Sequence, residues 1–173
     1  HAMNRSRLHA LLLVAALGIG LPGSHAWADS PRESATVSFG QWMSDPPLDR
    51  FPNAQGTPFD NVHELNPNVV TIKAGGSVNF IISGLHNIII YDDGTEPEDI
   101  NAGLTRLTTN PNPPTVPIID DPNNRIYRGL DPTLQPRDRV EVVNFPTPGT
   151  YLVICGVLPH FNQGMYGYVR VLP

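Results

Sequence analysis

The chain has 173 residues, of which 16 are acidic and 11 are basic, giving a formal net charge of −5 at pH 7. This length suits a single domain with its own hydrophobic core. The acidic balance and the lack of a basic stripe argue against a nucleic-acid-binding protein. A single cysteine excludes an internal disulfide and leaves a bland buried residue, an intermolecular partner or a chemically used thiol.

The first 28 residues are typical of a secretory signal. After a two-residue cloning scar, Arg5 and Arg7 precede the apolar run ALLLVAALGIGL, and a small-residue cleavage site ends at Ala28. The run is shorter than the roughly 20 residues of a membrane-spanning helix. We therefore predict a periplasmic protein whose mature chain, residues 29–173, is one domain without a membrane span. Retention of the segment as an anchor is the alternative.

Nearly every periodic segment after the signal predicts a strand. Short runs rich in Val, Ile and aromatic residues are separated by turn signals such as AGG, SGL and PTPG. The runs cover 34–43, 68–73, 77–83, 86–91, 138–145, 150–155 and 164–173. In 138–145, Val140, Val143 and Phe145 alternate imperfectly against Arg139 and Glu141. Short strands with Gly and Pro turns predict an all-β sandwich, with at most a turn or two of helix in 97–107.

Two proline-rich stretches, about 45–67 and 94–136, interrupt the predicted strands. Proline removes a ladder hydrogen bond, so the longer stretch is not expected to contain a central strand. Strand signals resume on both sides of each stretch. We therefore interpret both as ordered loop insertions on one sandwich rather than as linkers between domains.

The end of the chain holds the densest chemistry. Cys155 ends the run TYLVIC, His160 follows five residues later, and Met165 follows after five more. The loop between them is short and contains Gly and Pro, so the three donors should converge. Thiolate, imidazole and thioether suit copper, and a trigonal set of two His and one Cys with a long axial Met is the blue-copper arrangement. That arrangement needs a second histidine from elsewhere in the chain.

His86 is the best candidate for this second histidine, because it lies after a turn and at the mouth of an apolar strand. The amide of Asn87 can tie the two ligand segments together by hydrogen bonds, and such bonds orient ligands. His63 is flanked by acidic and loop residues, and we interpret it as an ordinary surface histidine.

Two segments, KAGGSVNFIISGLHNIIIY and LQPRDRVEVVNFPTPGTYLVICGVLPHFNQGMYGYVRV, resemble the ligand-bearing segments of cupredoxins, the plastocyanin/azurin superfamily. The His-Asn pair, the PGTY approach to the cysteine and the C-x4-H-x4-M spacing carry the resemblance, and the loop spacing is similar to that of rusticyanin. The resemblance implies a Greek-key β-sandwich that binds one copper ion, Cu(I)/Cu(II). It implies His86, Cys155 and His160 as equatorial ligands and Met165 as the axial ligand, with blue and green spectral types both open.

A site with four protein ligands has no open position for a substrate, so we predict an electron-transfer protein and not an enzyme. The alternative function is copper delivery, buffering or resistance, although a delivery protein usually carries an open Met/His-rich motif. Zinc can occupy the same donors, but a structural zinc site is normally a closed set without a thioether. A Cys–His protease dyad is less favoured, because no third orienting residue stands out.

The expected partners are redox proteins, such as a c-type cytochrome or a copper or haem oxidase or reductase. A candidate docking patch and electron exit consists of His160 and its apolar neighbours, Val157, Leu158, Pro159 and Phe161. The alternative is that these neighbours pack beneath the insertions. An acidic run can steer a basic partner or simply form a solvated loop; it contains Asp92, Asp93, Glu96, Glu98 and Asp99.

Overall fold

The computed structural model describes residues 32–40, 63–108 and 115–173. The predicted signal segment, its cleavage site and most of the first insertion lie outside these ranges. Across the described ranges, no helix is long and apolar enough to cross a membrane.

The described residues are mostly strand. The strands are β1 (Arg32–Phe39), β2 (Leu65–Asn66), β3 (Val69–Ser83), β4 (Ile88–Asp93), β5 (Thr105–Leu107), β6 (Pro117–Ile119), β7 (Arg125–Arg128), β8 (Asp138–Phe145), β9 (Gly149–Cys155) and β10 (Tyr166–Leu172). A 3-10 turn covers Pro97–Asp99, and one short helix, α1, covers Leu158–Asn162.

The long strand β3 belongs to both layers of the sandwich. Its first half pairs with β10, from Val69 to Lys73, and its second half pairs with β1 and β8, from Gly76 to Ser83. The first layer is therefore β2-β1-β3-β8, and the second is β3-β10-β9-β4-β7. Consecutive strands β8 and β9 lie in different layers, so the chain crosses between layers as in a Greek key. The predicted all-β sandwich is confirmed.

The main core lies between the two layers. Apolar side chains that alternate along β1, β3 and β8 face those of β4, β9 and β10. Three phenylalanines from the first layer, Phe39, Phe80 and Phe145, are fully buried there, and Cys155 and Met165 belong to the same cluster. The cysteine and the methionine therefore lie at the edge of a well-packed core, where burial of apolar surface is the main stabilising term.

The second layer is also covered on its outer face. Ile89 and Tyr91 of β4 and Leu152 and Ile154 of β9 form an outer cluster with residues of the second insertion. This cover explains why β4 and β9 read as continuous apolar runs rather than alternating ones. The described part of the second insertion therefore forms an ordered covering layer, built from the 3-10 turn and the β5-β6 pair.

Several strand predictions differ from the structure in instructive ways. The runs 68–73 and 77–83 are two halves of one strand, because the AGG sequence continues the strand from one layer into the other. Three short strands inside the second insertion were not predicted. As expected for a proline-rich stretch, none of the three is a central strand: β7 pairs with β4 at the end of its layer, and β5 and β6 form a separate ladder.

Strand β8 buries its two charged side chains, Arg139 and Glu141, and exposes two of its three valines. Arg139 and Glu141 face inward together with Val143 and Phe145, whereas Val140 and Val142 are each 56% exposed. Val140 therefore lies on the opposite face from Val143 and Phe145, which is why the alternation in the sequence is imperfect. The physical reason is that the two charged side chains form a buried ion pair with one another.

Candidate metal centre

Three side chains meet at the end of the sandwich where β3 and β9 finish and β4 begins. Nδ1 of His86 and Nδ1 of His160 are 3.1 Å apart, and each is 3.6 Å from Sγ of Cys155. We call these three atoms the donor triangle. The point equidistant from them lies about 2 Å from each, which is the length of a metal–nitrogen bond. The structure thus places the histidine and cysteine donors proposed from the sequence around one point that lies at bonding distance from all three.

Cys155 is held by the centre of the second layer. It is the last residue of β9, which lies between β10 and β4, and its main-chain partner in β4 is Ile88. Its backbone N–H donates to the carbonyl of Met165 at 2.9 Å. The thiol is fully buried, so the sulfur donor is fixed by strand pairing on both sides.

His160 reaches the site because the loop after Cys155 contains a helical turn. Helix α1 has a proline in its first turn, and the N–H of His160 donates to the carbonyl of Val157 at 2.9 Å. The N–H of Met165 then donates to the carbonyl of His160 at 3.1 Å. Met165 is itself fully buried in the main core. The fourth proposed ligand therefore lies in a segment whose main chain is bonded to both Cys155 and His160.

The donors are uncharged when no cation is present. Burial lowers the pKa of His86 well below its ordinary value, and the neighbouring His160, His63 and Arg139 lower it further. Burial, with help from His63, lowers the pKa of His160 to about 4. Burial raises the pKa of the Cys155 thiol to about 12. A cation that displaces the thiol proton would be bound by two neutral imidazoles and one thiolate, which is the form that metals require of these ligands.

The sulfur is prepared for negative charge by two backbone groups. The N–H groups of Asn87 and Val157 hydrogen-bond to Cys155 and oppose the rise of its pKa. Hydrogen bonds of this kind around a ligating sulfur tune a metal centre. The thiolate would therefore be stabilised by the metal and also by hydrogen bonds from both ligand-bearing segments.

Asn87 ties the ligand segments together, but through its main chain. Its carbonyl accepts a hydrogen bond from the N–H of Gly156 at 2.6 Å. Its side-chain amide donates instead to the carbonyl of Leu130 in the second insertion, at 2.8 Å. From the sequence we expected the side-chain amide to join the two ligand segments. In the structure the amide instead anchors the second insertion beside the site.

Gly40 allows the chain to pass closely over His86. Its φ is +99°, and a Cβ there would lie 2.3 Å from the carbonyl oxygen of Ser83 and 2.8 Å from Nε2 of His86. Only glycine tolerates both conditions. Phe39 contacts the same imidazole edge-on, with ring centroids 5.8 Å apart. The outer side of His86 is therefore enclosed by β1 and the residue that follows it.

His63 is part of the site, so its interpretation as an ordinary surface histidine was wrong. Its ring stacks on His160 with centroids 3.7 Å apart and an interplanar angle of 22°. Its Nδ1 also contacts Oε1 of Gln163. The residues next to His63 gave no signal of this, because both contacts are made across about 100 residues of chain.

The candidate docking patch is only partly a surface. Val157 is 1% exposed and therefore offers no area to a partner. Leu158 and Phe161 pack against the outer cluster, as the alternative interpretation held. Pro159 is exposed and His160 is half-buried beneath His63. The accessible part of this region is thus Pro159, the stacked pair of imidazoles and the partly exposed Leu158 and Phe161, without Val157.

The acidic run lies away from the donors. All five of its carboxylates are exposed. It begins at the far end of β4, whose first residue, Ile88, pairs with Cys155 and whose last, Asp93, pairs with Tyr151. The run starts at Asp92, four residues beyond Ile88, so at about 3.3 Å per strand residue it lies roughly 13 Å or more from the end of β4 that pairs with Cys155. Charge in this run does not surround the proposed site.

No protein-family model matches the sequence, and no curated protein matches it. Solved structures do match. Auracyanin from Roseiflexus castenholzii is 21% identical with a TM-score of 0.46, over 83% of this chain and 99% of that chain. Pseudoazurin from Hyphomicrobium denitrificans is 19% identical with a TM-score of 0.39, over 80% of this chain and 74% of that one. Plastocyanin from Dryopteris crassirhizoma is 19% identical with a TM-score of 0.38, over 79% and 99%.

At these identities and TM-scores the likeness itself decides nothing about the metal, which must be argued from the donor atoms of this chain. Two imidazole nitrogens, one thiol sulfur and a buried thioether in the adjoining segment are the ligand types of a trigonal copper site. The set of His86, Cys155 and His160, with Met165 buried in the adjoining segment, fits a type 1 copper site.

Proposed function

We propose that the protein is a type 1 copper protein that carries single electrons between redox partners. The donor triangle of His86, Cys155 and His160 is the observation that carries this proposal. When bound, copper supplies one-electron chemistry between Cu(II) and Cu(I). The remaining steps belong to the protein, which must hold the donors nearly still while the charge changes.

The donor positions are restrained from three directions. Strand pairing on both sides fixes Cys155, the helical turn fixes His160, and the enclosing Gly40 and Phe39 restrain His86. Main-chain hydrogen bonds join these segments to one another. Close-packed cores deform little. The ligand geometry can therefore stay nearly constant in both oxidation states, which favours fast electron transfer over ligand exchange.

The electron path that we propose leaves through the stacked imidazoles. His160 is half-buried, and His63 lies against its face and reaches toward the surface. A partner that docks over His63 would be separated from the donor triangle by two rings. This path replaces the larger apolar collar expected from the sequence, since Val157 is buried.

Catalysis at this centre is not part of the proposal. His86, Cys155 and Met165 are fully buried, and His160 is covered by His63. A substrate therefore has no direct approach to the donors through the described part of the chain. We also propose, on the signal-like sequence of residues 1–28, that the protein acts in the periplasm. The partner that we propose for an electron carrier there is a redox protein, such as a c-type cytochrome or a copper or haem oxidase or reductase.

Absorption and EPR spectra of the copper-loaded protein test the proposal. We expect an intense thiolate-to-Cu(II) band that Cys155→Ser abolishes and that Ser83→Ala, a change in another small buried polar residue near His86, preserves. A wild-type protein without the band, or a serine variant that keeps it, would show the assignment to be wrong. If copper instead passes readily to a chelator during redox cycling, delivery is the better function.

A further inference from the structure

Strand β8 buries two opposite charges beside the proposed metal centre. The side chains of Arg139 and Glu141 are 8% and 4% exposed, and Nε of Arg139 donates to Oε1 of Glu141 at 2.8 Å. They lie two residues apart on a strand, so both face the interior. Taking two charges out of water costs several kcal/mol per ion, and apolar residues of similar size often stabilise a fold equally well. Stability alone therefore does not explain the pair.

Every polar contact of this pair points to a specific neighbour. Nη2 of Arg139 donates to the carbonyl of His86 at 2.8 Å, and Nη1 donates to the carbonyl of Pro136 at 3.3 Å. The second carboxylate oxygen of Glu141 accepts a hydrogen bond from the hydroxyl of Tyr127 at 2.9 Å. The guanidinium is thus bonded directly to the backbone of a proposed copper ligand.

The same hydrogen bonds connect the two layers of the sandwich beside the metal centre. Tyr127 belongs to β7, the last strand of the second layer, whereas β8 ends the path of the first layer. Gly129, just after β7, donates its N–H to the carbonyl of Ile88 at 2.7 Å. A Cβ at Gly129 would lie 2.9 Å from the carbonyl oxygen of Ile88 and 2.6 Å from Oε2 of Glu141, and because the Ile88 backbone cannot move aside as a side chain can, the close approach requires glycine. The carboxylate therefore links both layers around the residues that follow His86.

The guanidinium is the nearer of the two charges to the donors. It contacts His86 itself, while the carboxylate contacts the guanidinium and Tyr127. Consistent with this, Arg139 adds to the lowering of the pKa of His86, which burial causes in the main. It also opposes the rise that burial produces in the pKa of Cys155. The donors therefore sit in a net positive potential from this pair.

We propose that Arg139 is a positioning residue of the metal centre, which fixes the backbone of His86 and, with its charge only partly offset by Glu141, favours the lower oxidation state of the bound metal. This inference rests on the proposed function, because it concerns the copper ion of that same site. It predicts effects of opposite sign from the two partners: removing the positive charge should favour Cu(II), and removing the negative charge should favour Cu(I).

The experiment is voltammetry and EPR on the copper-loaded wild type and four variants. Arg139→Met should lower the reduction potential, changing the Cu(II)/Cu(I) ratio at a fixed potential at least tenfold, which for one electron is about 59 mV. Glu141→Gln, which keeps the shape of the side chain, should raise the potential. Arg139→Lys keeps the charge and should restore most of the potential. Arg137→Met removes the same charge from an exposed position two residues away and should leave the potential unchanged, because water and salt screen it.

The outcomes separate this inference from the function it rests on. A wild-type protein without a thiolate band overturns both. A wild type with the band, together with Arg139→Met and Arg137→Met variants of equal potential, overturns the role of Arg139 alone. If Arg139→Met does not fold, Glu141→Gln decides: an unchanged or lowered potential refutes the charge effect. Shifts of the same sign in Arg139→Met and Glu141→Gln would indicate mere structural loosening and also refute it.

Discussion

The donor triangle and the Arg139–Glu141 pair lie side by side and are both buried, yet they are balanced in opposite ways. The pair carries two opposite charges that offset one another only in part at the donors, and its hydrogen bonds are made within the protein. The donor triangle carries no charge until a cation displaces the proton of Cys155. The charges of the pair are thus compensated by groups of the protein, whereas the charge of the donor triangle appears, and is compensated, only when a metal binds.

The largest expected effect comes from breaking the internal balance of the pair. Glu141→Leu leaves the guanidinium of Arg139 buried without its partner, so we expect the metal-free protein to lose about 3–5 kcal/mol of unfolding free energy. Urea unfolding measures this loss. Glu98→Leu, in the exposed 3-10 turn, is the matched control and should change little. The double variant Arg139→Met/Glu141→Leu should regain most of the loss; equal losses in the single and double variants would contradict this account.

Filling the donor triangle should stabilise the fold by a comparable amount. A ligand bound only by the native state adds RT ln(1 + [L]/Kd), which is about 4 kcal/mol at a free concentration of 1,000 times Kd. We expect this gain on loading with Cu(I) under anaerobic conditions, measured as a shift of the urea midpoint. Cys155→Ser should show a much smaller gain. Equal midpoints with and without copper would indicate that the triangle does not bind it.

Acid should weaken the metal-free protein through the imidazoles of the donor triangle. The pKa values of His160, about 4, and of His86 lie below the value near 6.5 of an unfolded histidine. The unfolded chain therefore binds more protons as pH falls below about 6.5, and unfolding free energy is lost until the folded form also protonates. Denaturant unfolding between pH 7 and pH 5 should show this decline. His160→Asn should flatten it, and a flat wild-type profile would argue against neutral buried imidazoles.

A smaller effect distinguishes the side-chain hydrogen bond of Asn87 from its main-chain hydrogen bonds. Asn87→Ala removes the amide bond to Leu130 and should cost about 1–3 kcal/mol of unfolding free energy. The main-chain bonds to Gly156 and Cys155 remain, so the thiolate band should persist at nearly the same wavelength. Asn144→Ala, on the exposed face of β8, is the control. Loss of the band in Asn87→Ala would show that the side chain supports the donors as well.

The sequence predicted the site well where its signals are local. Cys155, His160 and Met165 lie within eleven residues of chain, and His86 lies two residues before the strand that pairs with the strand of Cys155. Residue type and spacing, together with the resemblance to cupredoxins, were therefore enough to nominate the three donors of the triangle, and Met165 as the fourth ligand stays a prediction. The sandwich followed from short apolar runs separated by turn residues, which need no knowledge of pairing.

What the sequence did not predict depends on distant contacts. The stacking of His63 on His160 joins segments about 100 residues apart, and no local pattern encodes it. The inward phase of Arg139 and Glu141 contradicts hydrophobic alternation, because the two charges compensate one another inside the protein. The helix α1 is too short to show a helical period. The stacked ring of His63 and the Arg139–Glu141 pair surround the donors without joining the triangle, whereas α1 carries the donor His160 itself.

The smallest predicted effect concerns the boundary between the donor triangle and solvent. His63→Ala exposes the face of His160, and since solvent access favours the more highly charged oxidation state, the reduction potential should fall by less than in Arg139→Met. His63→Phe keeps an aromatic ring on His160 but loses the contact with Gln163, so its potential should stay near that of the wild type. Voltammetry distinguishes the two variants. If His63→Phe behaves like His63→Ala, the contact with Gln163, and not the stacked ring, shields the triangle.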